Sequence, residues 1–282
     1  MCPVPLVAAL TDRVLIVVSE TDPVAREVAR DWGTLPAVDS HVDGAPIRRL
    51  GPGMLVVRRP GPHIHDDELD ARLPPALRAE RPTLVFPSIH RSERNVRSLT
   101  VHPLGNPGPR AELGGRPRQL VPADPRRMVS ALRLLDEGAR AIGWTTTYEA
   151  THHGPVVGLP AFFVEIGYAE EPDPPADAIR LLGQVIPRIA EETGDRVALG
   201  VGGGHYVPHF TELALSRRWA FGHLLSRHAL LELDRATAMQ AFDLSNGAEG
   251  IVYARAQDAQ HPAITGVAAR LRDQLAPPRD GT

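Results

Sequence analysis

The run Arg13-Val14-Leu15-Ile16-Val17-Val18-Ser19 is apolar at every interior position and mostly β-branched. Alternating polarity would mark a strand with one wet face. An unbroken apolar run marks a strand covered on both, which requires layers on either side of a sheet. Thr21-Asp22-Pro23 follows at once and supplies a helix start, with Asp22 as cap and Pro23 in the first turn. That helix is expected to run to about Trp32 and stop at Gly33. Further strands are expected at residues 83–87, 99–102, 144–149, 161–166, 197–201 and 221–225, with a hairpin whose arms, 47–50 and 54–57, straddle Gly51-Pro52-Gly53. Helical spacing of Met128, Val129, Leu132 and Leu135 predicts a helix over residues 126–141. Others are expected over 176–193, kinked at Pro187 and capped at Gly194, and over 210–216, 234–242 and 263–274. Strands interleaved with helices predict an α/β fold, a three-layer αβα arrangement around a mixed, largely parallel sheet. One domain is expected over residues 11–276, with the Gly/Pro-rich stretch 104–125 as a loop and residues 1–10 and 277–282 as disordered tails.

Composition removes several kinds of chemistry. All 31 basic residues are arginine, so a Schiff-base lysine, a lysine general base and a phosphate-loop lysine are excluded together. The single cysteine, Cys2, excludes an internal disulfide and a thiolate metal site. A net charge of −3 gives no global attraction to nucleic acid, so contact with RNA must come from local arginines. No apolar run reaches membrane length, and the N-terminus lacks the basic start of a secretion signal, so a cytoplasmic protein is expected.

Two stretches concentrate the remaining reactive residues. Tyr148-Glu149-Ala150-Thr151-His152-His153-Gly154-Pro155 places two histidines on a turn after a carboxylate, and Glu165 lies inside the apolar run Phe162-Phe163-Val164-Glu165-Ile166. A buried charge needs a partner. Val201-Gly202-Gly203-Gly204-His205-Tyr206 is a second strand ending in a glycine turn with a histidine at its tip, and the two stretches are expected to form opposite walls of one site. Imidazole and carboxylate without thiolate suit zinc in an open hydrolytic site, and equally suit metal-free acid–base work. Three glycines after a strand serve either a tight turn or close backbone approach to an oxyanion or phosphate. They lack the dinucleotide spacing, and the chain has no serine elbow. His90, His102, His209 and His223 are also expected in turns after strands. Arg91, Arg94 and Arg97 form either a solvated loop or a phosphate grip.

Taken together, His90-Arg91-Ser92, the 98–103 stretch Ser98-Leu99-Thr100-Val101-His102-Pro103, the Glu149–Pro155 and Phe162–Gly167 stretches, Gly202–Tyr206 and Ala220-Phe221-Gly222-His223 resemble, in order, the archaeal and plant type of D-aminoacyl-tRNA deacylase. The resemblance implies hydrolysis of the ester between a D-amino acid and the terminal ribose of tRNA, with Zn2+ as cofactor and a fold like those of phosphorylases and peptidyl-tRNA hydrolase. It implies that His152, His153 and His205, with Glu165 or Glu149, activate water directly or through zinc, the three histidines being the expected metal set. His90, Arg91, Ser92, His102, Glu149, Gly202, Gly203, Gly204, Tyr206 and His223 are the implied substrate-binding residues. The expected partner is the acceptor end of D-aminoacyl-tRNA, with no DNA or membrane, in a monomer or weak dimer. The chain departs from the family where Tyr253-Ala254-Arg255-Ala256 replaces an Asp-Trp-Lys-Gly stretch and Arg227-His228 replaces Lys-Tyr. Those departures leave room for a divergent member acting on another aminoacyl or acyl ester, or for a non-catalytic tRNA-binding relative.

Overall fold

The computed structural model describes residues 13–91, 96–169, 173–190 and 194–275. Ser92, Arg94 and the two expected tails, 1–10 and 277–282, lie outside the described residues. In chain order the elements are β1 (Val14–Ser19), α1 (Pro23–Val28), β2 (Ala37–Val42), β3 (Ala45–Gly51), β4 (Met54–Arg59), α2 (Pro75–Ala79), β5 (Thr83–Arg91), β6 (Ser98–Pro103), β7 (Gly105–Asn106), β8 (Gln119–Leu120) and α3 (Pro125–Ile142). They continue with β9 (Thr145–Tyr148), β10 (Ala161–Tyr168), α4 (Ala176–Val185), β11 (Arg196–Val201), α5 (Pro208–Leu215), β12 (Trp219–Leu225), α6 (Arg227–Leu230), α7 (Arg235–Asp243), β13 (Gly250–Tyr253) and α8 (Pro262–Leu275).

Eight strands form one sheet in the order β2-β3-β4-β1-β5-β10-β6-β9, and three form a parallel sheet in the order β12-β11-β13. In the large sheet, β1 pairs parallel with β4 and β5, β10 with β5, and β6 with β9. The β10–β6 pair is antiparallel, as is the β2-β3-β4 edge. The sheet is therefore mixed and largely parallel. The run that predicted a doubly covered strand is β1, buried at all six positions, as is every residue of β10. Burying each such valine, leucine or phenylalanine is worth about 1.5–3 kcal/mol, so these central strands fix the register of their neighbours.

The differences from expectation have local causes. The first helix ends at Val28 and passes into a 3-10 segment over Arg30–Thr34, in which Trp32 packs half-buried against the core and no side chain is fully buried. The helix at residue 176 stops at Val185, and Pro187, which has no N–H to donate, sits in a 3-10 turn. The stretch 104–125 contains the small β7–β8 pair, where a loop without elements is expected. Strands β5, β6 and β12 extend far enough that His90, His102 and His223 lie within strands rather than in the turns after them, and His209 lies in α5.

The longest helix has legible ends: Asp124 accepts from Arg127 N at 3.0 Å, and Gly143 closes it in the left-handed region. Its buried Arg133 makes a two-pronged pair with buried Asp195, at 2.8 and 2.7 Å, and donates through Nε to Ala214 O at 3.1 Å. The hydrogen bonds from Arg133 hold the Asp195 carboxyl below its ordinary value. A depressed folded value means the pair's stabilisation is full above the unfolded carboxyl value, about 3.9, and is lost as pH falls through the folded one. Arg133→Met strands the carboxylate, and is expected to cost about 3–5 kcal/mol at pH 7 in urea unfolding. The deficit should shrink below about pH 4, as protonation discharges the stranded group. An equal deficit at pH 7 and pH 3 contradicts this account.

Candidate active site

The site forms where β5, β6 and β10 deliver side chains to one face of the sheet and the loops after β9 and β11 close over them. Ser88, Glu165 and Thr100 are direct cross-strand partners, so they share that face, and alternation puts His90 and His102 on it too. The expectation that the two marked stretches face each other is met in the backbone. Glu149 bridges to Tyr206 in an antiparallel pair, and Ala150 N donates to His205 O at 2.8 Å.

Two carboxylates are buried at the centre. Glu149 has no exposed surface, yet its Oε1 lies 3.3 Å from His90 Nδ1, and its Oε2 lies 2.9 Å from His205 Nε2 and 3.6 Å from His152 Nε2. None of these contacts meets hydrogen-bond geometry, so both oxygens lack a directed partner. Glu165 sits between His90 Nδ1, at 3.5 Å, and His102 Nε2, at 3.6 Å. Burial alone raises a carboxyl value, but His102 and His90 overrule it and Glu165 is held well below the ordinary range. Glu149 is lowered in the same way, against burial, by His205 first and then by His102 and His90. Reciprocally, burial disfavours charge on His90 and His102, yet Glu165 and Glu149 outweigh it and raise both.

His152 and His153 behave differently. Burial, then neighbouring imidazoles, hold His152 well below its usual value, and burial followed by the charge on His102 pushes His153 down to about 4. Both are therefore neutral near pH 7. Each has its Nδ1 on a backbone carbonyl, His152 on Ala150 O at 2.8 Å and His153 on Gly154 O at 2.7 Å. A carbonyl only accepts, so the proton is on Nδ1 and the lone pair on Nε2. His102 repeats the pattern, with Nδ1 3.2 Å from Pro103 O and a buried Nε2 without a hydrogen-bond partner. Orienting a histidine through Nδ1 while leaving Nε2 bare is the usual support for a metal-ligating imidazole. Where His152 Nε2 faces Glu149 a lone pair meets a carboxylate, and where His102 Nε2 faces Glu165 the carboxylate favours a proton on it; a proton or a cation reconciles each pair.

Ring nitrogens of His102, His152 and His153 lie within 4.8 Å of one another, and two further groups within the same limit are His90-Glu149-His205 and His102-Glu149-Glu165. The residues present fit a cation. The grouping differs from the expected set of His152, His153 and His205. His102, expected to bind substrate, joins the paired histidines, whereas His205, in the loop after β11, joins Glu149 and His90. Alternation along β6 is the sequence signal that could have placed His102 beside Glu165.

The remaining expected residues divide. Tyr206 bonds His90 Nε2 through its hydroxyl at 3.0 Å, and exposed Arg91 lines the cavity mouth. His223 does not reach the site. It is fully buried, Nε2 lies 3.0 Å from Val121 O, and Nδ1 lies 3.1 Å from Thr151 Oγ1. Burial holds its value near about 4, and its place is beneath the His152 loop as a support. Gly202 donates its N–H to Leu225 O at 2.8 Å, so that amide holds the turn rather than an oxyanion. Gly203 accepts from Arg227 N, and both residues have positive φ, so the tight-turn role is the one these two glycines fill. Gly204 follows them, with only Tyr206 O near the position of a Cβ. The 104–125 stretch is glycine-rich where backbones meet: a Cβ on Gly154 would come within 2.3 Å of Gly115 N, which presses that loop against His153.

A family profile described as D-aminoacyl-tRNA deacylase matches residues 78–274. A protein of that name from Methanosarcina mazei is 36% identical over 196 residues, covering 68% of this chain and 65% of that protein. One of the same name from Pyrococcus abyssi is 36% identical over 191 residues, covering 66% and 69%. The match thus spans about two thirds of the length of these relatives. The crystal structure of AF0625, described as a conserved protein of unknown function, superposes with a TM-score of 0.78 at 26% identity over 93% of each chain.

Proposed function

The chain belongs to the D-aminoacyl-tRNA deacylase family, and from that premise we propose that it hydrolyses the ester joining a D-amino acid to the terminal ribose of tRNA, releasing both. The observation that carries the reading is Glu149: a fully buried carboxylate, without a directed hydrogen-bond partner, lying behind three histidines that line the cavity, His90, His152 and His205. Fold stability gives no reason to keep such a group, whereas a reaction that must take a proton from water does.

In this mechanism His102, His152 and His153 would hold a zinc ion, their three Nδ1 protons anchored on backbone carbonyls so that the Nε2 lone pairs face inward. When bound, zinc supplies polarisation of the ester carbonyl and a lowered pKa for water. Glu149 accepts the proton from the attacking water. His205, which faces solvent with its Nε2 2.9 Å from Glu149 Oε2, takes that proton from Glu149 and gives one to the departing ribose oxygen, so both groups return to their starting states. Glu165 keeps His90 and His102 oriented, and Tyr206 fixes the other nitrogen of His90. Arg91 at the mouth is placed for the phosphate of the acceptor strand.

A second reading, hydrolysis of another aminoacyl or acyl ester, is favoured by the departure at residues 253–256. That segment packs under the glycine turn, where a Cβ on Gly202 would lie 2.9 Å from Ala254 Cβ. Incubation with D-Tyr-tRNA decides between the two. Release of free tyrosine with tRNA that can be charged again supports the deacylase. D-Tyr-tRNA left intact, with turnover of simple acyl esters, supports the second reading.

A further inference from the structure

The site cavity, about 510 Å³, extends beyond Glu165 to a second end built by the tip of β1 and its turn into α1, where Ser19, Thr21 and Asp22 sit with Pro62 and Ile64. All five residues precede the 78–274 stretch that the family profile matches. Their hydrogen bonds leave a defined pattern of acceptors. Ser19 Oγ donates to Gly61 O at 2.8 Å, so in its 2.9 Å contact with Thr21 Oγ1 the proton comes from threonine. Thr21 has then committed its only proton and can offer the cavity nothing but lone pairs. Asp22 Oδ1 accepts from Ala25 N at 2.8 Å, and Oδ2 accepts from Ser88 Oγ at 2.7 Å and Ile89 N at 3.0 Å. Three of about four carboxylate acceptor positions are used, and one remains.

Position ties this pair to the chemistry. Ser88, which holds Asp22, is the direct cross-strand partner of Glu165, and paired strands lie about 4.8 Å apart. Asp22 is therefore one strand away from the carboxylate that orients His90 and His102. A substrate with its ester carbonyl at the histidines carries a free hydroxyl on the ribose carbon next to the one that bears the ester, a separation of the same order. The hydroxyl is a neutral donor of one proton. One proton needs one acceptor, and Thr21 Oγ1, whose own proton is committed to Ser19, supplies it.

We infer that Thr21 Oγ1 accepts the proton of the free vicinal hydroxyl of the terminal ribose, with Asp22 fixing the turn that presents it, so that the N-terminal strand reads the nucleotide while the histidine wall cleaves the ester. This inference rests on the deacylase reading above. Thr21 is exposed and replaceable without loss of core packing, whereas Asp22 also caps α1, so the decisive variant is Thr21→Val.

The experiment compares D-Tyr-tRNA with the same molecule ending in 2′-deoxyadenosine and esterified at the 3′ position, on wild type, Thr21→Val and Thr21→Ser. Loss of one such hydrogen bond is expected to lower kcat/KM of the wild type about tenfold on the deoxy substrate. Thr21→Val should lose about tenfold on the ordinary substrate, and then about threefold or less on going to the deoxy one, with Thr21→Ser restoring the wild-type preference. Equal rates on both substrates in the wild type overturn the inference while keeping the activity. So do losses that multiply in Thr21→Val. A wild type that hydrolyses neither substrate fails on the activity itself, and the inference falls with it.

Discussion

Glu149→Gln is expected to lower kcat for D-Tyr-tRNA hydrolysis about a thousandfold while lowering the thermal midpoint by only about 2–4 °C. The activity loss follows from position: the substitution keeps size and removes only the proton acceptor, and general-base contributions run to about 10²–10⁴. The stability result follows from burial. A carboxylate with no exposed surface costs free energy to keep charged, but His205, His102 and His90 more than offset that cost, since the folded value is lowered. A neutral amide gives up the burial cost and the attraction together, so stability should fall far less than activity. Single-turnover kinetics and a melting curve on the same preparation provide the check. A variant that unfolds early makes Glu149 a structural residue, and one that keeps full activity removes it from the mechanism.

Metal removal should have an effect of similar size. Ring nitrogens of three histidines within 4.8 Å of one another, with His102 Nε2 and His152 Nε2 facing carboxylates, make a good cation site. Dialysis against a chelator is expected to lower hydrolysis at least about a hundredfold, and added zinc to restore it. The midpoint should fall on stripping, because an ion that binds only the folded chain stabilises it by about 4 kcal/mol at a thousandfold excess over Kd. His153→Ala removes one ligand, and should bind less zinc in elemental analysis while losing activity by orders of magnitude. If the stripped protein keeps full activity and the purified one carries no metal, the Glu149–His205 pair acts on water unaided.

Much of this was legible in the residues, for reasons that differ from place to place. The unbroken run at 14–18 announced a doubly covered strand because a central strand has no wet face to encode. Glu165 announced the site because a charge in an apolar strand has no structural excuse. What the linear sequence did not carry was which nitrogen faces which. His102 belongs with His152 and His153 because β6 runs antiparallel to β10 and places it one pleat from Glu165, a fact of pairing rather than of spacing. His223 looked like a member of the cluster because it follows the same apolar pattern, yet its two nitrogens are spent on Val121 and Thr151. Strand β13 and the β7–β8 pair went unforeseen because they are short and take their pairing from distant partners.

The central claim is that this histidine wall cleaves the ester of a D-amino acid and spares its mirror image. Its most direct test is the rate of tyrosine release from D-Tyr-tRNA and from L-Tyr-tRNA, side by side in single turnover with zinc-loaded wild-type protein. The account predicts release from the D-ester faster by at least about two orders of magnitude, a difference of about 2.7 kcal/mol in transition-state binding. Equal release from both esters, or faster release from the L-ester, would contradict it.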